Sequence, residues 1–262
     1  MTELEEYYNK FNEEKRLLSR HGQVEFFVTM NYILEILDND FSKKILDVGA
    51  GTGRYSISLF EQGYKNVTAV ELCKPNIGQF KAKLKKNNYD IPVYQGNAID
   101  LSKFEDHQFD VTLIFGPMYH LHSEEDKIKV LEEAKRVTKV GGYILVAYVM
   151  NDYSIVSYGF IDNHILECVD KGEVDSSFHT RMNEDDLYDY VRVEDIDNLN
   201  KRASLSRVDI IGVDGPTDYI RQVINKMDEK TFELYKNYCL IISKRKDMIG
   251  CSSHTLDILK NI

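Results

Sequence analysis

Apolar residues change their spacing several times along the chain, and each change marks an element. Residues 1–40 read as helical. Phe26, Phe27, Met30, Ile33, Leu34 and Leu37 recur at helical intervals behind a more polar leader with Tyr7, Tyr8 and Asn9. Between 43 and 149 short apolar runs alternate with amphipathic stretches. Ile45–Val48, Val67–Val70, Ile91–Tyr94, Val111–Phe115 and Tyr143–Val149 predict strands. One helix starts near Arg54 and ends near Gly63, and Pro75 opens another carrying Ile77, Phe80 and Leu84. Ser123 is an N-cap for a third, with Glu124, Glu125 and Asp126 in its first turn and Lys135, Arg136 and Lys139 in its last. Gly141-Gly142 is expected to stop that helix. This alternation predicts a parallel α/β sheet with right-handed crossovers.

After residue 150 the rhythm breaks. Residues 151–203 show no clear alternation until a helix near Glu194–Ala203. Val208–Val213 reads as a strand, Asp214-Gly215-Pro216 as a turn, and 217–243 as one long helical stretch. His254–Leu259 is expected as a last strand at the sheet edge. No internal repeat or Pro/Gly/Ser-rich linker divides the chain.

Composition narrows the function classes. With 43% hydrophobic and 29% charged residues among 262, the chain can bury a substantial core. Its net charge of −10 is concentrated: residues 162–197 hold twelve acids against Lys171, Arg181 and Arg192. An acidic chain without a basic stripe excludes DNA as an expected partner, disfavours RNA, and argues against a polybasic membrane contact. The opening Met-Thr-Glu-Leu-Glu-Glu lacks the basic and apolar regions of a signal peptide, and the longest apolar run, Tyr143–Met150, is far short of a membrane span. Cys73, Cys168, Cys239 and Cys251 lie far apart, so neither a zinc site nor a disulfide framework is signalled. The expected compartment is a reducing cytoplasm. The expected assembly is a monomer or homodimer.

The sharpest chemical signal is Ile45-Leu46-Asp47-Val48-Gly49-Ala50-Gly51-Thr52-Gly53-Arg54. Alternate glycines let the backbone turn off a strand and approach a ligand before a helix begins. A dinucleotide fingerprint would need glycine at 54, where Arg54 stands, and no Gly-Lys-Ser/Thr follows to make a Walker loop. Asp47 at the strand end suits a cationic ligand better than a pyrophosphate.

These residues resemble the first motif of the class I S-adenosylmethionine-dependent methyltransferases, in the small-molecule branch. The resemblance covers roughly residues 43–150 and extends more weakly to the end. It implies a Rossmann-like, doubly wound seven-stranded sheet, mostly parallel with the last strand antiparallel. Residues 1–42 would form a helical lid, 43–150 the cofactor-binding core, 151–203 an acidic cap insertion, and 204–262 the completion of the sheet. The implied cofactor is S-adenosyl-L-methionine, with S-adenosyl-L-homocysteine as product. Asp47, Gly49, Ala50, Gly51 and Gly53 would cradle it, and Glu71 with Leu72 after the second strand would take the ribose hydroxyls. Asn97-Ala98 stands where the family usually has Asp-Ala for the adenine, and Phe115-Gly116 follows the fourth strand. In the lid, Arg20 would pair with the methionine carboxylate and Tyr7 or Tyr8 would cover the sulfonium face.

The acceptor side is read from Gly116-Pro117-Met118-Tyr119-His120-Leu121, which differs from the Asn/Asp-Pro-Pro-Tyr of enzymes that methylate adenine or glutamine nitrogen. His120 is the candidate base, needed only if the acceptor carries a proton, and Tyr119 would orient the acceptor. The alternative for His120 is a structural ring bonded to backbone. Tyr7, Tyr119, His179 and Arg181 are the candidate acceptor-binding groups. Glu184, Asp185, Asp186 and Asp189 read as acids at a helix start rather than as a metal site. The expected activity is methyl transfer to a small molecule. The alternatives are methylation of RNA or protein, a catalytically silent regulator that binds the cofactor, and a dehydrogenase.

Overall fold

The computed structural model describes residues 19–181 and 186–262. The first helix, α1 (Arg20–Leu37), begins at Ser19, whose hydroxyl accepts from the Gly22 N–H, and ends where Asp38 turns left-handed. Five parallel strands follow: β1 (Ile45–Val48), β2 (Val67–Glu71), β3 (Val93–Gln95), β4 (Phe109–Ile114) and β5 (Thr138–Val149). Between them lie α2 (Arg54–Glu61), α3 (Lys74–Asn87) and α4 (Glu124–Val137). An insertion then carries α5 (Asn151–Ser154), which runs into a π-helical segment at Ile155–Ile161, and α6 (Ile165–Asp170). It is followed by α7 (Val193–Arg202), β6 (Ser206–Gly212), α8 (Arg221–Ile224), α9 (Glu229–Ile242) and β7 (His254–Lys260).

The strand order is β3-β2-β1-β4-β5-β7-β6, a doubly wound seven-stranded sheet with β7 antiparallel to both neighbours. β1 is central and wholly buried, which is why it reads as a continuous run rather than as an alternation. Strand alternation sorts the core into two layers. Ile45, Ala69, Leu113, Leu145 and Ile258 pack under α1, α2 and α9, while Leu46, Val70, Ile114, Val146 and Leu259 pack against α4 and α7.

Three expectations are corrected. β7 does not lie at the edge: Thr255–Leu259 are all buried, and the strand is paired on both sides, leaving β6 as the edge. Gly141-Gly142 does not stop α4, which ends at Val137. The glycines lie inside β5, where the register with β4 jumps from Phe109↔Thr138 to Val111↔Tyr143 as a bulge. The stretch 217–243 is not one helix. Asp228 accepts from the Thr231 N–H at 2.9 Å and so starts α9 afresh. Ser123 does cap α4, accepting from the Asp126 N–H at 3.1 Å.

Candidate active site

A cleft opens at the carboxyl ends of β1, β2 and β4, where ligands of doubly wound sheets bind. The pleat puts Asp47, Glu71, Phe115, Ala147 and Leu256 on the α1 side of the sheet, and all five line the cleft. Glu25 and Thr29 from α1 and Tyr55 from α2 close it from above.

The glycine loop is held by backbone bonds to β2: the Gly49 and Ala50 N–H groups both donate to the Val70 carbonyl, at 2.9 and 3.1 Å. Gly49 has φ +78°, and a Cβ there would lie 2.5 Å from Pro117 Cδ, so only glycine lets this loop meet the loop after β4. Glu71 braces the same turn. Its Oε2 accepts from the Gly51 N–H at 2.8 Å, and its Oε1 from the Cys73 N–H at 2.8 Å and Asn76 Nδ2 at 3.2 Å. Oε2 thus keeps one accepting position for a ligand hydroxyl.

Asp47 lies fully inside. Ser56 donates to its Oδ2 at 2.6 Å, while Oδ1 is buried without a hydrogen-bond partner among the described residues. Burial, reinforced by the nearby Glu71 carboxylate, raises its pKa to about 6 despite the Ser56 bond. A buried carboxylate oxygen lacking a donor, in a cleft with a second acid beside it, is a site built for a cationic or hydrogen-bond-donating ligand.

Of the residues expected to bind cofactor, Asp47, Gly49, Ala50, Gly51, Glu71, Leu72, Asn97, Ala98, Phe115 and Gly116 line this one cleft, together with Tyr119 and His120. Asn97 Oδ1 already accepts from the Ile99 N–H at 3.3 Å, leaving a second lone pair. Gly53 does not line the cleft: a Cβ there would run into the Phe80 ring, so this glycine serves helix-to-helix packing. Arg20 is drawn away, donating to the Asp228 carbonyl at 3.1 Å and Glu229 at 3.0 Å. His179 is bound to Asp195 at 2.8 Å and lines neither described cavity, and Arg181 faces a second cavity within the insertion. Tyr7, Tyr8, Glu184 and Asp185 lie outside the described residues. Asp189 makes a buried ion pair with Lys127 of α4.

At the far end of the cleft, Tyr119 packs against His120 with ring centroids 4.9 Å apart, and His120 against Tyr188 at 5.2 Å. His120 Nδ1 lies 2.9 Å from the Leu187 carbonyl, which can only accept, so Nδ1 carries the proton. The ring is thus tied to backbone at Nδ1 and also lines the cleft. Glu25, Thr29, Tyr55 and His254 also line the cleft but carry no local motif. Asp214, Asp218 and His254 each bring a polar atom within 4.8 Å of the others. Asp214, however, is already surrounded by the Ser252 hydroxyl, the Ser253 and His254 N–H groups and the His254 ring, while the Ser253 hydroxyl lies between it and Asp218, so its accepting positions are taken. That group is built as a hydrogen-bond acceptor rather than an ion cage.

Residues 46–146 match the family model described as a methyltransferase domain. Among curated proteins, the demethylmenaquinone methyltransferase of Paenarthrobacter aurescens is 34% identical over 116 residues, 44% of this chain and 42% of that protein. The glycine/sarcosine/dimethylglycine N-methyltransferase of Actinopolyspora halophila is 30% identical over 121 residues, 46% of this chain and 21% of that protein. The chain thus spans under half the length of either relative. Among solved structures, a Thermotoga maritima S-adenosylmethionine-dependent methyltransferase, described as a possible histamine N-methyltransferase, superposes with TM-score 0.60 at 16% identity, covering 99% of this chain and 100% of that one. One from Archaeoglobus fulgidus gives 0.59 at 17% identity, covering 97% and 99%. At these identities the superpositions establish the fold.

Proposed function

Because this chain carries a class I S-adenosylmethionine-dependent methyltransferase domain, we propose that it transfers the methyl group of that cofactor to a small molecule held at the Tyr119–His120 end of the cleft. The observation that carries the reading is the pairing of the buried, donor-less Asp47 Oδ1 with Glu71 around a glycine loop.

The residues present fit the cofactor. Asp47 offers an acceptor to its ammonium group, the remaining position on Glu71 Oε2 takes a ribose hydroxyl, and Leu72 and Ala98 supply apolar surface for the adenine. When bound, S-adenosylmethionine supplies an electrophilic methyl on a positively charged sulfur. The protein's own part is to bring an acceptor into line with it and to exclude water. Phe115 and Tyr55, with ring centroids 4.8 Å apart, form an aromatic wall, and Tyr119 with His120 bounds the acceptor side.

Charge supports a small acceptor. The described lining residues include Glu25, Asp47 and Glu71 but only Arg54 among lysines and arginines, so polyanions have little to hold. The acid-rich insertion adds less field than its composition suggests, since Glu167, Asp189, Asp195 and Asp197 are spent on Lys171, Lys127, His179 and Arg207. The test is incubation of a whole-cell extract with the protein and labelled S-adenosylmethionine, followed by mass spectrometry of its separated small-molecule, RNA and protein fractions. The expected result is label in a low-molecular-mass product. Label confined to tRNA or protein would refute the small-molecule reading.

A further inference from the structure

The insertion between β5 and α7 turns more large apolar side chains outward than it buries. Its own core, among the described residues, is the trio Ile155, Cys168 and Val174. Bonding of the π-helical segment Ile155–Ile161 from i to i+5 widens its turn. Ile155 and Gly159 therefore share the buried side, while Val156, Phe160 and Ile161 share the outer one. Gly159 lets α6 approach closely, since a Cβ there would lie 3.2 Å from Ile165. α6 in turn buries Cys168 and leaves Leu166 and Val169, three residues apart, exposed. The Phe178 ring, exposed as well, lies 6.2 Å from that of Phe160. Leu166 and Ile161 are 77% and 61% exposed. Weighted by side-chain size, the exposed parts of these six residues come to about 500–600 Å². The largest apolar patch on a typical monomer covers about 300–600 Å² and is often functional. One side of a standard protein interface buries about 800 Å², of which about 500 Å² is apolar. This one face therefore carries as much apolar surface as a stable dimer needs from each copy.

We propose that this face of the insertion is the twofold contact of a homodimer, in which it packs against the same face of a second copy. The contact does not depend on methyl transfer. A symmetric pair needs one self-complementary patch, and two short apolar helical stripes that interdigitate with their own copies supply it. Aromatic and branched aliphatic side chains lie at the centre of the face and carboxylates around it, the anatomy of an interface core with a polar rim. The rim also selects among occupants. Glu167 is paired with Lys171 at 2.7 Å, and Asp152 with Arg192 at 3.6 Å. Asp162 and Asp170, both exposed, add negative charge beside the apolar residues, which disfavours an anionic bilayer. Two copies bring these carboxylates to one shared rim, so salt should screen their repulsion and tighten the dimer.

The test is sedimentation velocity of the whole protein over a range of concentrations, beside the double variant Phe160→Asp/Leu166→Asp. Wild type should sediment at twice the monomer mass, with a dissociation constant of about 1 μM or tighter. The variant should dissociate at least about 100-fold more readily, while its far-UV circular dichroism stays that of wild type. Raising salt from about 50 to about 500 mM should tighten the wild-type dimer. Two further measurements need no variant. The wild-type Tm should rise with protein concentration, and the amides of residues 156–169 should gain protection from hydrogen exchange as the dimer forms. A wild type that is monomeric at about 100 μM overturns the proposal. So does a dimer that the substitutions leave intact, or one that salt loosens. Capture of monomeric wild type by phosphatidylcholine vesicles, lost in the variant, would make the face a lipid-binding surface and overturns it as well.

Discussion

The Asp47→Asn substitution should make the ligand-free protein more stable and the ligand-bound complex weaker. Burial shifts the Asp47 pKa from 3.8 to about 6, a penalty on the ionised form of about 3 kcal/mol. The sign follows from proton binding. Below 3.8 the folded and unfolded chains both hold the proton, and stability is unaffected. Between 3.8 and about 6 only the folded chain holds it, so stability falls as pH rises; above about 6 the full penalty applies. The substitution removes that penalty but turns an amide group into a buried space where Oδ1 has no partner, at a cost of about 1–2 kcal/mol. The net gain is about 1–2 kcal/mol near neutrality, or roughly 3–6 °C in Tm. At a pH of about 4 the gain disappears. Loss of a charge-assisted bond to the ligand should weaken S-adenosylhomocysteine by about 10–100-fold. Thermal melts with and without that ligand, at about pH 4 and about pH 7.5, measure both effects. A variant less stable without ligand near neutrality, with unchanged affinity, would mean that Asp47 is neither held against its charge nor in contact with the ligand.

Other substitutions separate binding from packing. Gly53→Ala drives a Cβ into the Phe80 ring at φ +85° and should cost about 2–4 kcal/mol in urea unfolding. Arg20→Ala should leave S-adenosylhomocysteine affinity within about twofold and cost at most about 1 kcal/mol, since the guanidinium is committed to Glu229 at the surface. Arg207→Met strands the buried Asp257 carboxylate, which then keeps only Asn200 among the side chains that bond it here, and should cost about 3 kcal/mol by urea titration near neutrality.

The parts of the site legible in the sequence are those whose chemistry is local. A turn from β1 into α2 that brings backbone to a ligand needs its glycines in order, and the strand-end acid Glu71 shares β2 with its own hydrophobic signal. The rest depends on distant partners. The placement of β7 inside the sheet is set by pairing with β5 and β6, which leaves no mark within residues 254–260. The Asp214–His254 pair lies 40 residues apart and joins only when that pairing forms. Arg20 and His179 are plausible ligand groups by type, but Glu229 and Asp195 claim them in three dimensions. Gly53 fits the motif by position, yet its constraint comes from the Phe80 ring of the next helix.

Glu71 and the glycine loop are the groups proposed to hold S-adenosylmethionine in this cleft. Calorimetry with S-adenosylhomocysteine on wild type and Glu71→Gln tests that role most directly. Saturable one-to-one binding to wild type and at least about tenfold weaker binding to the variant are expected. Equal affinity in the two proteins, or binding of NAD without S-adenosylhomocysteine, would contradict that role.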